Sequence, residues 1–278
     1  MAQLSVLIAG CGDLGNALGE RLIEAGFRVY GLRRNIDQLS EGILPIEYDL
    51  LNANAPPNLP QVDYLVYAAA AKSRVLDIYR AIYLAAPRRI LEALPRQPRR
   101  IFLTSSTGVY AQHQHEWIDE SSDVKPNNPF GQLLFEGECA LAASGVPMTA
   151  VRCSGIYGPG REHLLNRIRA GEVAPDEPLH FSNRIHREDA AGFIAHLIQM
   201  DIKREPLKEV YLASDDKPTP IAEITQWLAT KLGVAIISRT PIQRGGSKRC
   251  RNDAMHATGY ALRYPTYREG FDAILASD

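Results

Sequence analysis

The sequence predicts a doubly wound α/β fold, and three observations carry that prediction. Short, nearly continuous apolar runs recur at Ser5–Ala9, Tyr64–Ala69, Arg100–Thr104 and Met148–Arg152. Segments of helical periodicity separate them, and a glycine-rich turn joins the first run to the first helix. Strands that are apolar throughout are buried on both faces, as in a parallel sheet covered by helices on each side.

The elements follow in order. Ser5–Ala9 reads as the first strand, and the helical pattern Asn16–Ala25 is ended by Gly26. Arg28–Leu32, Ile46–Tyr48 and Tyr64–Ala69 read as the next three strands. A long helical pattern covers Arg74–Leu94, with a kink expected at Pro87, which lacks a backbone donor. Strand Arg100–Thr104, helix Leu133–Ala143 and strand Met148–Arg152 complete the first half. Beyond Arg152 the rhythm breaks at Gly155, Gly158, Pro159, Gly160, Pro175 and Pro178. Helix Glu188–Met200 and strand Glu209–Leu212 return to the main sheet, while helix Ile221–Leu232 and the basic tail from Arg239 belong to something smaller. The expected division gives residues 1–157 and 183–215 to the sheet domain, and 158–182 and 216–278 to a small discontinuous C-terminal lobe.

Composition narrows the function classes. With 31 basic and 32 acidic side chains in 278 residues, the formal charge is −1, so there is no electrostatic footprint for nucleic acid or an anionic membrane. Apolar runs such as Leu65–Ala71 are too short to span a bilayer. The first residues carry neither a basic segment nor a separate apolar one, so no secretory signal is expected. Cys11, Cys139, Cys153 and Cys250 are scattered without ligand spacing, which points to a reducing cytoplasm and against disulfides. His113 and His115 have no further ligand nearby, and no metal is expected.

Gly10-Cys11-Gly12-Asp13-Leu14-Gly15 fits G-x-G-x-x-G between a buried strand and a helix, the context that dinucleotide binding requires. Gly10 permits the tight turn, Gly12 lets the backbone approach a pyrophosphate, and Gly15 allows close helix–strand packing. The helix N-terminus then faces the phosphates. The alternative is a purely structural glycine turn; in this context a NAD(P)-binding Rossmann fold is the better reading. At the end of the second strand an acidic residue would bind an unmodified ribose, whereas arginine suits a 2′-phosphate. Gly31-Leu32-Arg33-Arg34 has no carboxylate there, so NADP(H) is favoured over NAD(H), with a solvated arginine pair as the alternative. Asp49 and Leu50 are expected beside the adenine, and Ala68, Ala69 and Ala70, running to Ala71, offer a small-residue wall for the cofactor.

These residues resemble a known family. Gly10–Gly15, Asp49-Leu50, Asp63–Ala70, Thr104–Tyr110, Asp119-Glu120 and Tyr157–Pro159 are similar to the extended short-chain dehydrogenase/reductases, in particular the NAD-dependent epimerase/dehydratase branch acting on nucleotide sugars. Ile185-His186, Asp189-Ala190, Asn252-Asp253-Ala254, Gly259-Tyr260, Pro265 and Glu269-Gly270 extend the resemblance over nearly the whole chain. It implies a catalytic Tyr-x-x-x-Lys in the helix after the Pro-rich loop, but Phe130 holds the tyrosine position and Leu134 the lysine position. Neither side chain carries a titratable proton. Tyr83 stands where the family often has asparagine, and Ser106 keeps the hydroxyl of the catalytic serine/threonine position. An intact cofactor loop without the pair is typical of the atypical members, and Asn127-Asn128-Pro129 leading to Glu136-x-Glu138, with Gly158–Arg161, looks like the YeeZ-like branch.

Other candidates carry two readings each. Ser106 either bonds a substrate oxygen or caps a turn. Tyr110 and Tyr157 could supply a replacement phenol, although tyrosines at such places more often pack with their hydroxyls satisfied. His186 reads first as a structural histidine tied to Asp189. Arg161, Arg184, Arg187, Arg244, Lys248, Arg249 and Arg251 suit a phosphorylated or nucleotide-linked ligand, with at least half expected to be solvated surface. Two functions remain open: an oxidoreductase or epimerase-like enzyme on a nucleotide-sugar or other phosphorylated small molecule, and a non-catalytic dinucleotide-binding redox sensor or scaffold. Either is expected as a monomer or homodimer.

Overall fold

Seven strands form one sheet: β1 (Ser5–Ala9), β2 (Arg28–Arg33), β3 (Leu44–Glu47), β4 (Tyr64–Tyr67), β5 (Arg100–Ser106), β6 (Met148–Cys153) and β7 (Val210–Ala213). The structure, a computed structural model, describes residues 3–54, 56, 58–241 and 246–277. The strand order is β7-β6-β5-β4-β1-β2-β3, with parallel pairing of β1 with β2 and β4, of β2 with β3, and of β4 with β5. The order reverses direction between β1 and β4, and such a switch point opens a crevice at the carboxyl ends of the strands. The doubly wound α/β fold is thus present.

Helices α1 (Asp13–Glu24), α2 (Leu76–Arg80), α3 (Ala86–Ala93), α4 (Pro129–Ala142) and α5 (Arg187–Ile202) fill the crossovers. Alternate strand residues face opposite layers. Leu7, Leu65, Tyr67, Ile101 and Leu103 pack with Ile82, Ile90 and Leu141 on one face. On the other, Asp201 of α5 accepts from Tyr64 Oη at 3.0 Å and from Arg100 Nε at 2.7 Å.

Ahead of Pro87, where a kink is expected, the helix changes its hydrogen bonding. A π-helical turn, Ala81–Ala85, connects α2 to α3, and the Ala86 N–H donates to Ala81 O, five residues back. The Ile82 carbonyl thereby loses its α-helical donor, and Pro87 has no N–H to replace it. The buried Tyr67 hydroxyl of β4 donates to that carbonyl instead. Helix α4 starts a turn earlier than periodicity indicates because Asn128 Oδ1 caps the Gly131 N–H at 2.9 Å and Pro129 occupies the first turn.

The chain divides into two compact units. The first comprises 1–110, 124–152 and 190–211; the second comprises 111–123, 153–189 and 212–278. This differs from the sequence expectation of 1–157 with 183–215 against 158–182 with 216–278, because several segments given to the sheet domain are paired within the second unit. Gln114–Ile118 runs parallel to Ser247–Cys250, and Gly155–Tyr157 runs parallel to Arg184–His186. The fully buried Asp189 carboxylate accepts from Arg263 N at 2.7 Å, Tyr264 N at 3.0 Å and Tyr260 Oη at 3.2 Å. That unit has its own core, in which Tyr157, Leu165, Ile168, Ile224, Leu228 and Phe271 pack together. No helix of the described residues is long and apolar enough to cross a membrane.

Replacing Tyr67 by Phe keeps the ring and removes the hydroxyl that donates to Ile82 O. Leaving that carbonyl without its partner should cost about 1–3 kcal/mol, read as a lower urea midpoint at unchanged slope.

Candidate functional site

The glycine turn leaves β1 at the switch point. The N–H groups of Gly10 and Cys11 both donate to Leu32 O at 3.0 Å, and Gly12 N donates to Gly10 O at 2.7 Å. Gly10 has φ +83°, and a Cβ there would lie 2.5 Å from Ala69 Cα, so the turn is pressed against the chain leaving β4. At Gly15 a Cβ would meet Ile8 Cγ2 at 3.1 Å and Cys11 Sγ at 3.2 Å, which brings α1 close to its strand. Gly12 differs. A Cβ there would meet only Gly10 O, at 3.9 Å, so this part of the backbone faces open space at the helix start. Gly12 is the N-cap of α1 and no side chain caps that end. A helix start of this kind presents backbone donors and a positive field to an anion.

Around the turn, Arg33 reaches the 3₁₀ turn Ile36–Gln38 and donates from Nη1 to Gln38 O at 3.1 Å and from Nη2 to Gln38 Oε1. Asn16 of α1 donates to the same carbonyl at 2.7 Å, which ties this turn to the helix. Burial pushes the buried Cys11 thiol up to about 12, opposed by the nearby charge of Arg33. Asp49 Oδ1 accepts from Leu51 N at 3.0 Å, and its other oxygen lies 3.8 Å from Arg34 Nη1. Leu50 is buried, and its carbonyl accepts from Arg89 at 2.9 Å. Ala68 N continues the β4 ladder to Ala9 O at 2.9 Å, and Ala71 N donates to Tyr83 Oη at 3.1 Å.

The far side of this region belongs to β5 and α4. Ser106 Oγ accepts from Gly108 N at 3.1 Å, capping the short helix Thr107–Val109. Phe130 and Leu134 are both half-buried. The Phe130 ring has Arg74 Cζ 4.3 Å from its centroid and Tyr79 edge-on at 4.7 Å. Two glycines let α4 approach its neighbours. A Cβ at Gly131 would meet Gly108 O at 2.8 Å, and one at Gly137 would meet Tyr83 O at 2.2 Å.

A buried network that the sequence reading missed lies further along α4. Glu138 accepts from Arg152 Nη2 at 2.6 Å, from Arg152 Nε and from Ser105 Oγ, while Arg152 Nη1 donates to Tyr110 Oη at 2.7 Å. Burial alone disfavours the Arg152 charge, but Glu138 and Tyr110 more than offset it. The available signal was Arg152 itself, a charge at the end of an apolar strand. Tyr110 is therefore bound to a guanidinium and not presented as a spare acid. A cavity of about 460 Å³ opens beside this pair, lined by Phe135, Glu138, Cys139, Met148, Arg152 and Val210 among others; no glycine-turn residue lines it.

In the second unit, burial raises the Tyr157 phenol well above its ordinary value, and its hydroxyl lies 3.4 Å from Thr266 O. His186 Nδ1 accepts from Glu188 N at 3.2 Å, with Tyr264 against the ring. Arg184 and Lys248 are not solvated surface: burial lowers the pKa of both. Arg249 donates to His115 O at 2.8 Å and lies over Trp117, as does Arg251. Arg187 pairs with Glu188 at 2.7 Å, Arg161 lies in the loop before helix His163–Arg169, and Arg244 falls outside the described residues.

A parallel sheet with the 3-2-1-4-5-6 core order and a glycine turn at its switch point defines the class: a dinucleotide-fold α/β protein. The sequence model of the NAD dependent epimerase/dehydratase family matches residues 6–203, and the chain belongs to that family. Among solved structures it is similar to a Methylobacillus flagellatus protein provisionally described as an NAD-dependent epimerase/dehydratase, at 33% identity over 99% of each chain with a TM-score of 0.79. Human epimerase family protein SDR39U1, solved with NADPH, is 19% identical over 99% of this chain and 100% of that one, with a TM-score of 0.76. MoeE5, in complex with UDP-glucuronic acid and NAD, is 20% identical over 98% of each chain, with a TM-score of 0.80. The last two likenesses show the fold alone. No curated protein sequence matches the chain.

Glu138→Ala would leave the Arg152 guanidinium buried beside a void. The expected loss of stability is about 3–5 kcal/mol, measured by denaturant titration.

Proposed function

We propose that the chain binds NADP(H) across the Gly10–Gly15 turn and acts as an oxidoreductase or epimerase-like enzyme on a nucleotide-linked or other phosphorylated small molecule. The observation that carries this reading is Gly12, whose open face at an uncapped helix start leaves room for a pyrophosphate. The residues fit the group. Gly12, Asp13, Leu14 and Gly15 would hold the pyrophosphate, Arg33 a 2′-phosphate, Asp49 and Leu50 the adenosine end, and Ala68, Ala69 and Ala70 the face of the cofactor. When bound, the dinucleotide supplies a hydride acceptor or donor.

The chain's own residues then set what chemistry is available. Phe130 and Leu134 can exclude water but hold no proton. Ser106 Oγ already accepts from Gly108 N, which leaves its own O–H as a donor toward a substrate oxygen. SDR39U1 binding NADPH and MoeE5 binding a UDP-sugar support the cofactor and ligand classes by analogy of fold. A second reading, a non-catalytic dinucleotide-binding sensor or scaffold, is favoured by Phe130, whose ring is covered by Arg74 and Tyr79.

Two titrations test the cofactor site. Gly12→Val puts a branched side chain where only Gly10 O comes within 4 Å of a Cβ, so at some cost to the helix start a folded variant should show dinucleotide binding abolished by calorimetry. Unchanged affinity in a folded variant would place the ligand elsewhere. For cofactor choice, unmodified protein should bind NADPH more tightly than NADH, and Arg33→Asp should reverse that order.

A further inference from the structure

Tyr83 brings a hydroxyl to the chain leaving the central strand β4, on the side where Phe130 and Leu134 are apolar. Three constraints put it there. The π-helical turn Ala81–Ala85 advances the helix by one residue, and Tyr83 lies in its middle. Tyr67 fixes the turn through the Ile82 carbonyl. Gly137 brings α4 onto the Tyr83 backbone, where a Cβ would stand 2.2 Å from Tyr83 O. The side chain is half-buried, with Tyr79 packed on its ring at 5.1 Å. Its oxygen accepts from Ala71 N at 3.1 Å, and among the described residues its own proton has no acceptor.

The direction of this hydroxyl follows from the topology. A dinucleotide whose pyrophosphate lies on the glycine turn extends its adenosine half over β2, where Arg33 stands, and its other half over the chain leaving β4. That chain is Ala68–Ala71. It is packed against Gly10 at Ala69 and ends on Tyr83 at Ala71. Beside Tyr83, the Tyr79 ring passes on to Phe130. Burial raises the Tyr83 phenol above its ordinary value, with the Ala71 N–H opposing, so the group is a hydrogen-bond donor at neutral pH.

We propose that the Tyr83 hydroxyl donates a hydrogen bond to the nicotinamide ribose of a bound dinucleotide, a contact that the apolar Leu134 side chain cannot make. The assignment rests on the dinucleotide reading above. Tyr83 is thus a cofactor-binding residue, contributed by the long helix in place of α4. Unmodified protein, Tyr83→Phe and Tyr83→Met are titrated calorimetrically with NADPH, NADH and ADP, and their melting temperatures are recorded. ADP carries the adenosine diphosphate half without the nicotinamide ribose. Both variants should bind the preferred dinucleotide about 3- to 10-fold more weakly and ADP with unchanged affinity. Unchanged dinucleotide affinity in a folded variant overturns the assignment. Equal weakening for ADP also overturns it, because the effect then comes from a displaced Ala71 loop. If the unmodified protein binds ADP but neither dinucleotide more tightly, the dinucleotide reading itself falls, and this assignment with it. Tyr83→Met carries the test should Tyr83→Phe fail to fold.

Discussion

A missing hydrogen atom organises one side of the sheet. Pro87 cannot donate, so the helix ahead of it shifts to five-residue bonding and the Ile82 carbonyl is left over. Tyr67 takes that carbonyl from within the core, which links strand β4 to the turn. The same shift sets the phase of every residue before Pro87. It turns Tyr83 toward Ala71 and brings Tyr79 against Phe130. Helix α4 can follow only because residue 137 has no side chain. Strand, turn, loop and helix therefore meet at one irregular turn, held by Pro87, Tyr67 and Gly137 together.

Across the switch point the constraint is one of space. Gly10 is pressed on Ala69, Gly15 on Ile8, and Gly12 on nothing. Gly10 is required by the protein's own packing and Gly15 is favoured by it, so their presence would be expected even without a ligand. The third is required by no protein contact, which is why it carries the functional reading. On the far side, Phe130 is an aromatic ring under a guanidinium, an arrangement stabilised by cation–π attraction and able to stand without a substrate.

Much of this was legible in the sequence. Apolar runs located the sheet, G-x-G-x-x-G located its switch point, and Pro87 announced a helix irregularity. The start of α4 was also legible in principle, since Asn128-Pro129 is a cap followed by a first-turn proline, but periodicity placed the helix at Leu133. The π turn was not legible, because it depends on a hydroxyl from β4 meeting a carbonyl 15 residues away. Nor was the Glu138–Arg152 pair, whose partners come from different elements. The division into two compact units draws on pairings of the same kind. Pairing of 114–118 with 247–250 is a contact across more than a hundred residues and leaves no local pattern.

Asp189 depends on residues more than seventy positions further along the chain. Its carboxylate is fully buried, and Tyr260, Arg263 and Tyr264 supply three of its donors. A charge in that position is tolerable only while those donors are in place. Residues 260–264 are therefore a stopper for an internal anion, and a proteolytic cut that released them would do more than open a loop. It would strand a carboxylate in an apolar interior at the first turn of α5.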